Sequence, residues 1–311
     1  MKLGMMYLED HPLRQDIQNR MNALVPAVPN TNNLIAVPSN QWTNPITMNT
    51  ANGVVTLGLD GITGGLSTLI MNTIPWADNQ HVLGQFVYKT FDDNDYATQQ
   101  GFCCWGVGGR QSGANPNSTT TSPTISNVWT DSTTAPTLLV VELKMPTLQV
   151  TNYDAPETIY YQYTITPEGT VAFDVQFFNK TATRIGEAGF MSFLNSPIPN
   201  YTWYMKKLNS WIDPLISVSG GSPHSHGVSD GISYKFNSNS SVFFAIDTLD
   251  AHVVSPVTAT SPATNFIVPA TALEGPVLGF SSLLFQNAFN TNTPQFTWQS
   301  DFHWRYVFHT N

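Results

Sequence analysis

The sequence predicts an all-β protein built as a large antiparallel β-sandwich, a supersandwich, with a short N-terminal helix. Composition is the first reason, because only 11% of the 311 residues are charged, against about 25% in an ordinary soluble domain. Hydrophobic residues make up 41%, which is enough to fill a large core. The second reason is a long series of short segments of alternating hydrophobicity, separated by turn residues. One large sandwich, or two stacked ones, is the architecture that this pattern favours.

The clearest strand lies near the C-terminus. It alternates an aromatic face with a mostly polar one: Phe302, Trp304, Tyr306 and Phe308 against His303, Arg305, Val307 and His309. A period of two is typical of a strand that is half buried in a sheet. We therefore expect this strand to be paired inside the sandwich. Two further strand patterns, at 159–165 and 171–177, flank a turn at 167–169 and predict a hairpin.

The N-terminus carries an amphipathic helix pattern. Apolar residues at i, i+4, i+8 and i+11 lie on one helical face: Leu13, Ile17, Met21 and Leu24. Pro12 suits a first turn, and Pro26 prevents the helix from continuing. We therefore divide the chain into a helical segment at 1–30 and a single β-supersandwich unit at 31–311.

Charge and hydropathy exclude two classes of partner. The formal net charge is −9 and the 12 basic residues form no cluster in the sequence, so the chain offers little to a phosphate backbone. No apolar run approaches the roughly 20 residues that a membrane-spanning helix needs. We expect neither nucleic acid nor a membrane span.

The polar composition, rich in Thr, Ser and Asn, is typical of extracellular β-proteins. The first ten residues lack the long apolar core of a signal peptide, so we expect an export signal upstream of Met1 or already removed. Four asparagines match the glycosylation acceptor pattern: Asn117, Asn179, Asn200 and Asn239. We expect an extracellular or secretory-pathway location, in which these asparagines are candidate glycosylation sites.

Cys103 and Cys104 are the only cysteines, and two cannot build a disulfide framework or a four-cysteine zinc site. Two interpretations remain, a pair of small buried hydrophobic residues or a strained bridge between neighbours.

Residues 110–137 are poor in aliphatic side chains and rich in Ser, Thr, Asn and Pro. This composition predicts a long exposed loop.

Several segments together, in order along the chain, carry a family resemblance: 12–26, 76–77, 83–91, 95–96, 184–193, 224–228, 248–256 and 284–294. They resemble the C-terminal half of glycoside hydrolase family 38 α-mannosidases. The resemblance implies an all-β supersandwich like that of galactose mutarotases, packed beside a separate α/β barrel with zinc ligands and the carboxylate nucleophile. This chain departs from the family by lacking that barrel.

The missing barrel predicts that this chain alone is not catalytic. Glycoside hydrolysis needs two carboxyl groups at a fixed separation, one ionised and one protonated. Most acids here lie scattered in turn-like sequence. The carboxylates that we would test are Glu187, Asp230, Asp247 and Asp250, and we assign none of them a catalytic role. If the chain is an enzyme, we expect a glycoside hydrolase of the α-mannosidase type.

The histidines allow three interpretations. His224 and His226 would point the same way on a strand, and His252 could add a third nitrogen for a catalytic zinc. They could equally be polar residues of a Gly-Ser-Pro loop, or contact sugar without binding metal. We predict no metal and no cofactor, and assign carbohydrate contact to His224, His226, Asp230, Asp250 and His252.

Three functions follow from these observations. The first is a non-catalytic extracellular β-sandwich, derived from a mannosidase-like protein, that contacts carbohydrate or self-associates. The second is a processed fragment of an active zinc-dependent α-mannosidase-like glycosidase, with the missing barrel as its partner. The third is a structural subunit of an extracellular filament or coat, because no lysine blunts the strand edges.

Overall fold

Two antiparallel sheets stacked face to face form the body of the protein. The computed structural model describes residues 13–23, 26–97, 116–183, 185–216, 223–236, 241, 243–259, 273–287 and 300–311. Within these ranges three α-helices occur: α1 Leu13–Ala23, α2 Asp93–Ala97 and α3 Thr147–Tyr153. None of the described helices is both long and apolar enough to cross a bilayer.

The strands of the described residues, in chain order, are β1 Ile35–Ala36, β2 Ile46–Thr50, β3 Gly53–Leu59, β4 Leu66–Met71, β5 Ile74–Ala77, β6 Leu83–Phe91, β7 Thr119–Thr121, β8 Thr124–Thr130, β9 Leu138–Lys144, β10 Thr158–Ile165, β11 Val171–Lys180, β12 Gly186–Leu194, β13 Tyr201–Lys207, β14 Ser210–Ile212, β15 His226–Gly227, β16 Gly231–Phe236, β17 Phe243–Thr248, β18 Val253–Val257, β19 Gly279–Gln286 and β20 Ser300–Thr310. Sheet A has the order β1-β8-β9-β10-β11-β20-β17-β16-β13-β14. Sheet B has the order β15-β18-β19-β12-β6-β4-β3-β2, with β5 beside β4 and β7 beside β6. The predicted fold class, a large antiparallel sandwich with a short N-terminal helix, is confirmed.

The C-terminal strand occupies the centre of sheet A. β20 pairs with β11 on one side and with β17 on the other. Its aromatic face points into the core as the alternation predicted, with Trp304, Tyr306 and Phe308 buried. The predicted hairpin is present too, because β10 and β11 pair from Ile159 to Ile165 across the turn.

Aromatic side chains fill the space between the two sheets. The Phe173 ring stacks on Tyr163 with ring centroids 4.6 Å apart, and it contacts Tyr161 and Tyr306 as well. Gly84 of sheet B faces this cluster with φ of +78°, and a Cβ atom there would lie 2.8 Å from the Phe173 ring. The buried hydroxyl of Tyr163 donates to the Gly64 carbonyl. The Phe173 ring of sheet A therefore packs directly against the backbone of sheet B, and only glycine fits at position 84.

A buried ion pair joins the sheets at one end. Lys180, at the end of β11, contacts Glu187 of β12 at 3.0 Å, and both side chains are almost fully buried. The Tyr88 and Thr183 hydroxyls donate to the two Glu187 carboxylate oxygens. Burial, the Glu187 charge and this hydrogen bond hold the pKa of Tyr88 well above its ordinary value. The carboxylate is thus fully hydrogen-bonded, as a charge inside a protein needs to be.

The sequence was wrong about part of 110–137. A long loop was predicted, but β7 and β8 occupy much of the described part of this segment, from 116 onward, and β8 pairs with β9. Threonine is β-branched and fits a strand even where aliphatic side chains are few. Val128 anchors β8 because it is buried in the core.

The predicted N-terminal helix is present as α1, whereas α2 and α3 were not predicted. Cys103 and Cys104 lie outside the described residues.

Candidate functional site

An open cleft lies on the face of sheet A that points away from sheet B. Its volume is about 430 Å³. Residues that alternate with core residues build it: Asp247 and His309, for example, follow the buried Ile246 and Phe308. The lining residues are Lys206, Trp211, Ser229, Asp230, Phe243, Ala245, Asp247, Thr248, Leu249, His252 and His309.

Close backbone approach positions the acidic side of the cleft. Gly231 opens β16 opposite Asp247, and a Cβ atom on it would lie only 2.1 Å from the Ile246 carbonyl oxygen. The Thr248 amide donates to the Asp230 carbonyl at 2.7 Å. Only glycine permits this spacing, which brings the turn that carries Asp230 close to β17, the strand that carries Asp247.

Both cleft carboxylates have a basic partner. Lys206 Nζ lies 2.8 Å from Asp230 Oδ2. The hydrogen bond and charge of Lys206 outweigh a small desolvation effect and lower the pKa of Asp230. His309 Nε2 lies 3.1 Å from Asp247 Oδ2, and the Phe243 ring packs edge-on against the same imidazole. The cleft therefore presents an ionised Asp230 together with a second carboxyl and two imidazoles, His309 and His252.

Trp211 forms the aromatic wall. It lies on the edge strand β14 directly opposite Lys206, and it is half-buried. The Lys206 and Lys235 ammonium groups lie 5.6 Å and 5.0 Å from the centre of its ring. Such cation–π contacts restrict the ring without covering its whole surface.

The structure brings two of the predicted contact residues to the cleft, Asp230 and His252. Asp250 lies close by but binds Arg305, which donates to both carboxylate oxygens from Nε and Nη2. His224 and His226 are buried, at 6% and 5% exposure. The side chains of these two histidines are therefore largely inaccessible to a ligand in this conformation.

His226 is held by defined hydrogen bonds. Lys207 Nζ lies 3.2 Å from its Nδ1, and because an ammonium can only donate, Nδ1 accepts. Nε2 then carries the proton and donates to the Pro223 carbonyl at 2.9 Å. Burial is the main reason that the pKa of His226 is lowered, and the Lys207 charge adds to it. Among the described residues no group of three His, Cys, Asp or Glu side chains is placed to hold a metal ion.

Sequence reasoning singled out only Asp230, Asp247 and His252 among the lining residues. It missed the others, among them Lys206, Trp211, Ser229, Phe243 and His309, which are aromatic or polar. The signal was present in the alternation of β13 and β20, which places Lys206 and His309 on the face opposite Met205 and Phe308. Of the other carboxylates singled out, Asp247 lies in the cleft and Glu187 in the buried ion pair.

Three glycosylation candidates are exposed, Asn117, Asn179 and Asn200; Asn239 lies outside the described residues.

A second cavity of about 270 Å³ lies at the opposite edge of the sandwich, between β1, β8 and the start of β2. Trp42, Ile46, Leu59 and several other apolar side chains form most of its wall. The described residues that line it carry no charge. It lacks the convergent polar groups that fix the orientation of a polar ligand.

The fold and cleft define a large antiparallel β-sandwich protein with a polar, aromatic-walled cleft on one face. The chain is similar to a galactose mutarotase-like protein from Lactobacillus casei ATCC 334, at 10% identity and a TM-score of 0.46, over 86% of this chain and 100% of that one. It is also similar to the Slr1438 protein from Synechocystis sp. PCC 6803, at 8% identity and a TM-score of 0.43, over 91% and 96%. No family model and no curated protein matches the chain. These likenesses concern the fold, and no site or activity is carried over from them.

Proposed function

We propose that this chain is a non-catalytic, extracellular carbohydrate-contacting protein and that the cleft on sheet A is its binding site. The cleft itself is the observation that carries the proposal. An aromatic ring can pack against the apolar face of a sugar, while carboxylates, imidazoles and hydroxyls hydrogen-bond its hydroxyl groups. Trp211 supplies the ring, and Asp230, Asp247, His252 and Ser229 supply the polar groups.

The charge state of the cleft argues for binding over hydrolysis. A glycosidase needs one carboxylic acid with a raised pKa to protonate the leaving group. Lys206 instead lowers the pKa of Asp230, and Asp247 is hydrogen-bonded to His309. Derivation from a mannosidase-like glycosidase rests on the ordered sequence segments alone.

The test is binding of neutral and acidic oligosaccharides to the whole chain, measured by calorimetry. Trp211→Ala should weaken binding about tenfold or more, the equivalent of about 1.4 kcal/mol. Trp129→Ala is the matched control, because Trp129 is another half-buried tryptophan of sheet A but lies on β8, away from the cleft. Absence of binding to every saccharide, or an equal loss in both variants, would overturn the proposal.

The enzyme alternative is tested in the same preparation. A processed mannosidase-like fragment should release the aryl group from an aryl α-mannoside when zinc is supplied, and a chelator should stop it. We expect no turnover with or without zinc. Zinc-dependent turnover that disappears in Asp230→Asn would replace the binding proposal with the glycosidase.

A further inference from the structure

Two lysines lie at the Trp211 wall of the cleft in an otherwise acidic chain. Lys206 lies near the end of β13, and Lys235 lies on the paired strand β16. They are two of only 12 basic residues in a chain with a net charge of −9. The sequence does not show this lysine cluster, because about thirty residues separate Lys235 from Lys206.

Only one of these two lysines has a carboxylate partner among the described residues, namely Lys206 with Asp230. The neighbouring Lys207 contacts the buried His226 and does not line the cleft. Lys235 is 7% exposed, and its ammonium lies 5.0 Å from the Trp211 ring centre and 6.0 Å from that of Tyr204. A buried charge normally requires a counter-charge, and two aromatic rings supply only part of one.

Both acids of the cleft have other partners. Asp230 is paired with Lys206, and Asp247 is hydrogen-bonded to His309. Lys235 is therefore the cation at the Trp211 wall that lacks a carboxylate partner among the described residues.

We infer that the cleft selects saccharides that bear a negatively charged group, a carboxylate or a sulfate, which Lys206 contacts and the buried Lys235 attracts through the Trp211 wall. This inference rests on the proposed carbohydrate-binding function and narrows its ligand class. The aromatic ring still receives the sugar, while the acidic substituent completes the charge balance of the lysine cluster. Neutral sugars lack that substituent and should bind more weakly.

The test uses pairs of probes that differ only in charge. Tri-galacturonate and its methyl ester form one pair, and a sulfated galactose disaccharide with its desulfated form is the other. We expect the charged member of at least one pair to bind about tenfold or more tightly than its neutral partner, and this preference to shrink as sodium chloride is raised. Which pair responds identifies the acidic group.

Single-residue variants distinguish the effect of the lysine cluster on binding from the effect of surface charge in general. Lys206→Met and Lys235→Met should each weaken binding of the charged probe about tenfold, and Lys206→Arg should retain most of it. Lys144→Met is the matched control, because Lys144 is an exposed lysine of sheet A on β9, outside the cleft. Thermal melting identifies a variant that does not fold, and Lys206→Met, whose side chain is partly exposed, then decides alone.

Two outcomes overturn the inference while the proposed function stands: equal binding of charged and neutral probes, or equal effects of Lys144→Met and Lys206→Met. Full displacement of the charged saccharide by the same concentration of inorganic sulfate would also overturn it, since the site would then hold an anion only. If neither charged nor neutral saccharides bind, the proposed function fails as well.

Discussion

Asp250 shows how much a single partner determines at the residue scale. It accepts hydrogen bonds from the backbone amide, Nε and Nη2 of Arg305. Partial burial alone would raise the pKa of Asp250, but the hydrogen bonds and charge of Arg305 outweigh it and lower the pKa. The side chain therefore holds the turn after β17 against β20, and Asp250 is not among the residues that line the cleft.

We expect Asp250→Asn to lower the free energy of unfolding by about 1–2 kcal/mol at pH 7, because charged hydrogen bonds are lost. For a carboxyl with a lowered pKa, this stability is complete above the unfolded pKa of about 3.9 and is lost as pH falls through the folded pKa. Urea unfolding from pH 7 to pH 3 measures it. The difference between variant and wild type should shrink toward pH 3, and a constant difference would contradict the assignment.

His226 makes a pH prediction of the same sign as Asp250, in a higher pH range. Its pKa is lowered by burial, so the unfolded chain takes up a proton first as pH falls. The stability that the neutral imidazole contributes is complete above about pH 6.5 and is lost as pH falls toward the folded pKa. Unfolding of His226→Gln should therefore depend less on pH between 7.5 and 5 than unfolding of the wild type. Equal slopes in urea titrations would show that His226 does not titrate in this way.

At the scale of elements, the Lys180–Glu187 pair couples the end of β11 to β12. Glu187→Gln should lower the free energy of unfolding by about 3–5 kcal/mol, because it leaves the buried Lys180 ammonium without its counter-charge. Lys180→Met/Glu187→Leu should recover most of that loss, since apolar replacement of a buried pair is often neutral. The comparison is made by urea unfolding.

The pair of the exposed Lys144 and the half-buried Glu142, 4.0 Å apart, is the control for this measurement. Lys144→Met should cost less than about 1 kcal/mol, as surface pairs usually do. A loss for Glu187→Gln no larger than that of Lys144→Met would mean that the buried pair contributes little to coupling the sheets.

Individual elements were predictable where a local pattern determines them. The strand β20, the β10–β11 hairpin and the amphipathic helix α1 were predicted from the pattern of residues that are neighbours in the sequence. The cleft was only partly predictable, because five strands between residues 201 and 310 meet there through non-local pairing. His224 and His226 have the spacing of a shared strand face, but no spacing reveals that His226 is buried against Lys207. Trp211 and Lys235 meet across β13, which only the strand order of sheet A determines.

At the scale of the whole molecule, strand edges decide how copies of the chain can associate. Of the four described strands that end the two sheet orders, three have only two or three residues, namely β1, β14 and β15. Short edge strands discourage pairing between molecules. The fourth, β2, has five residues, and it is the edge that a filament or coat would use.

We therefore expect the chain to sediment as a small species at micromolar concentration. The variant Thr47→Lys/Asn49→Lys places charges on exposed positions of β2 and should sediment like the wild type. A large assembly that dissociates in this variant would contradict the expectation and favour the filament or coat.

The central position of β20 has a consequence for how this protein is made. One half of sheet A comes from residues 35–180 and the other from residues 201–248, and only β20 joins them. While the ribosome is still translating the residues before 300, β11 and β17 each expose an unpaired edge to other nascent chains. We expect sheet A to close late in biosynthesis, so that the interval before closure is when this polypeptide depends most on chaperones.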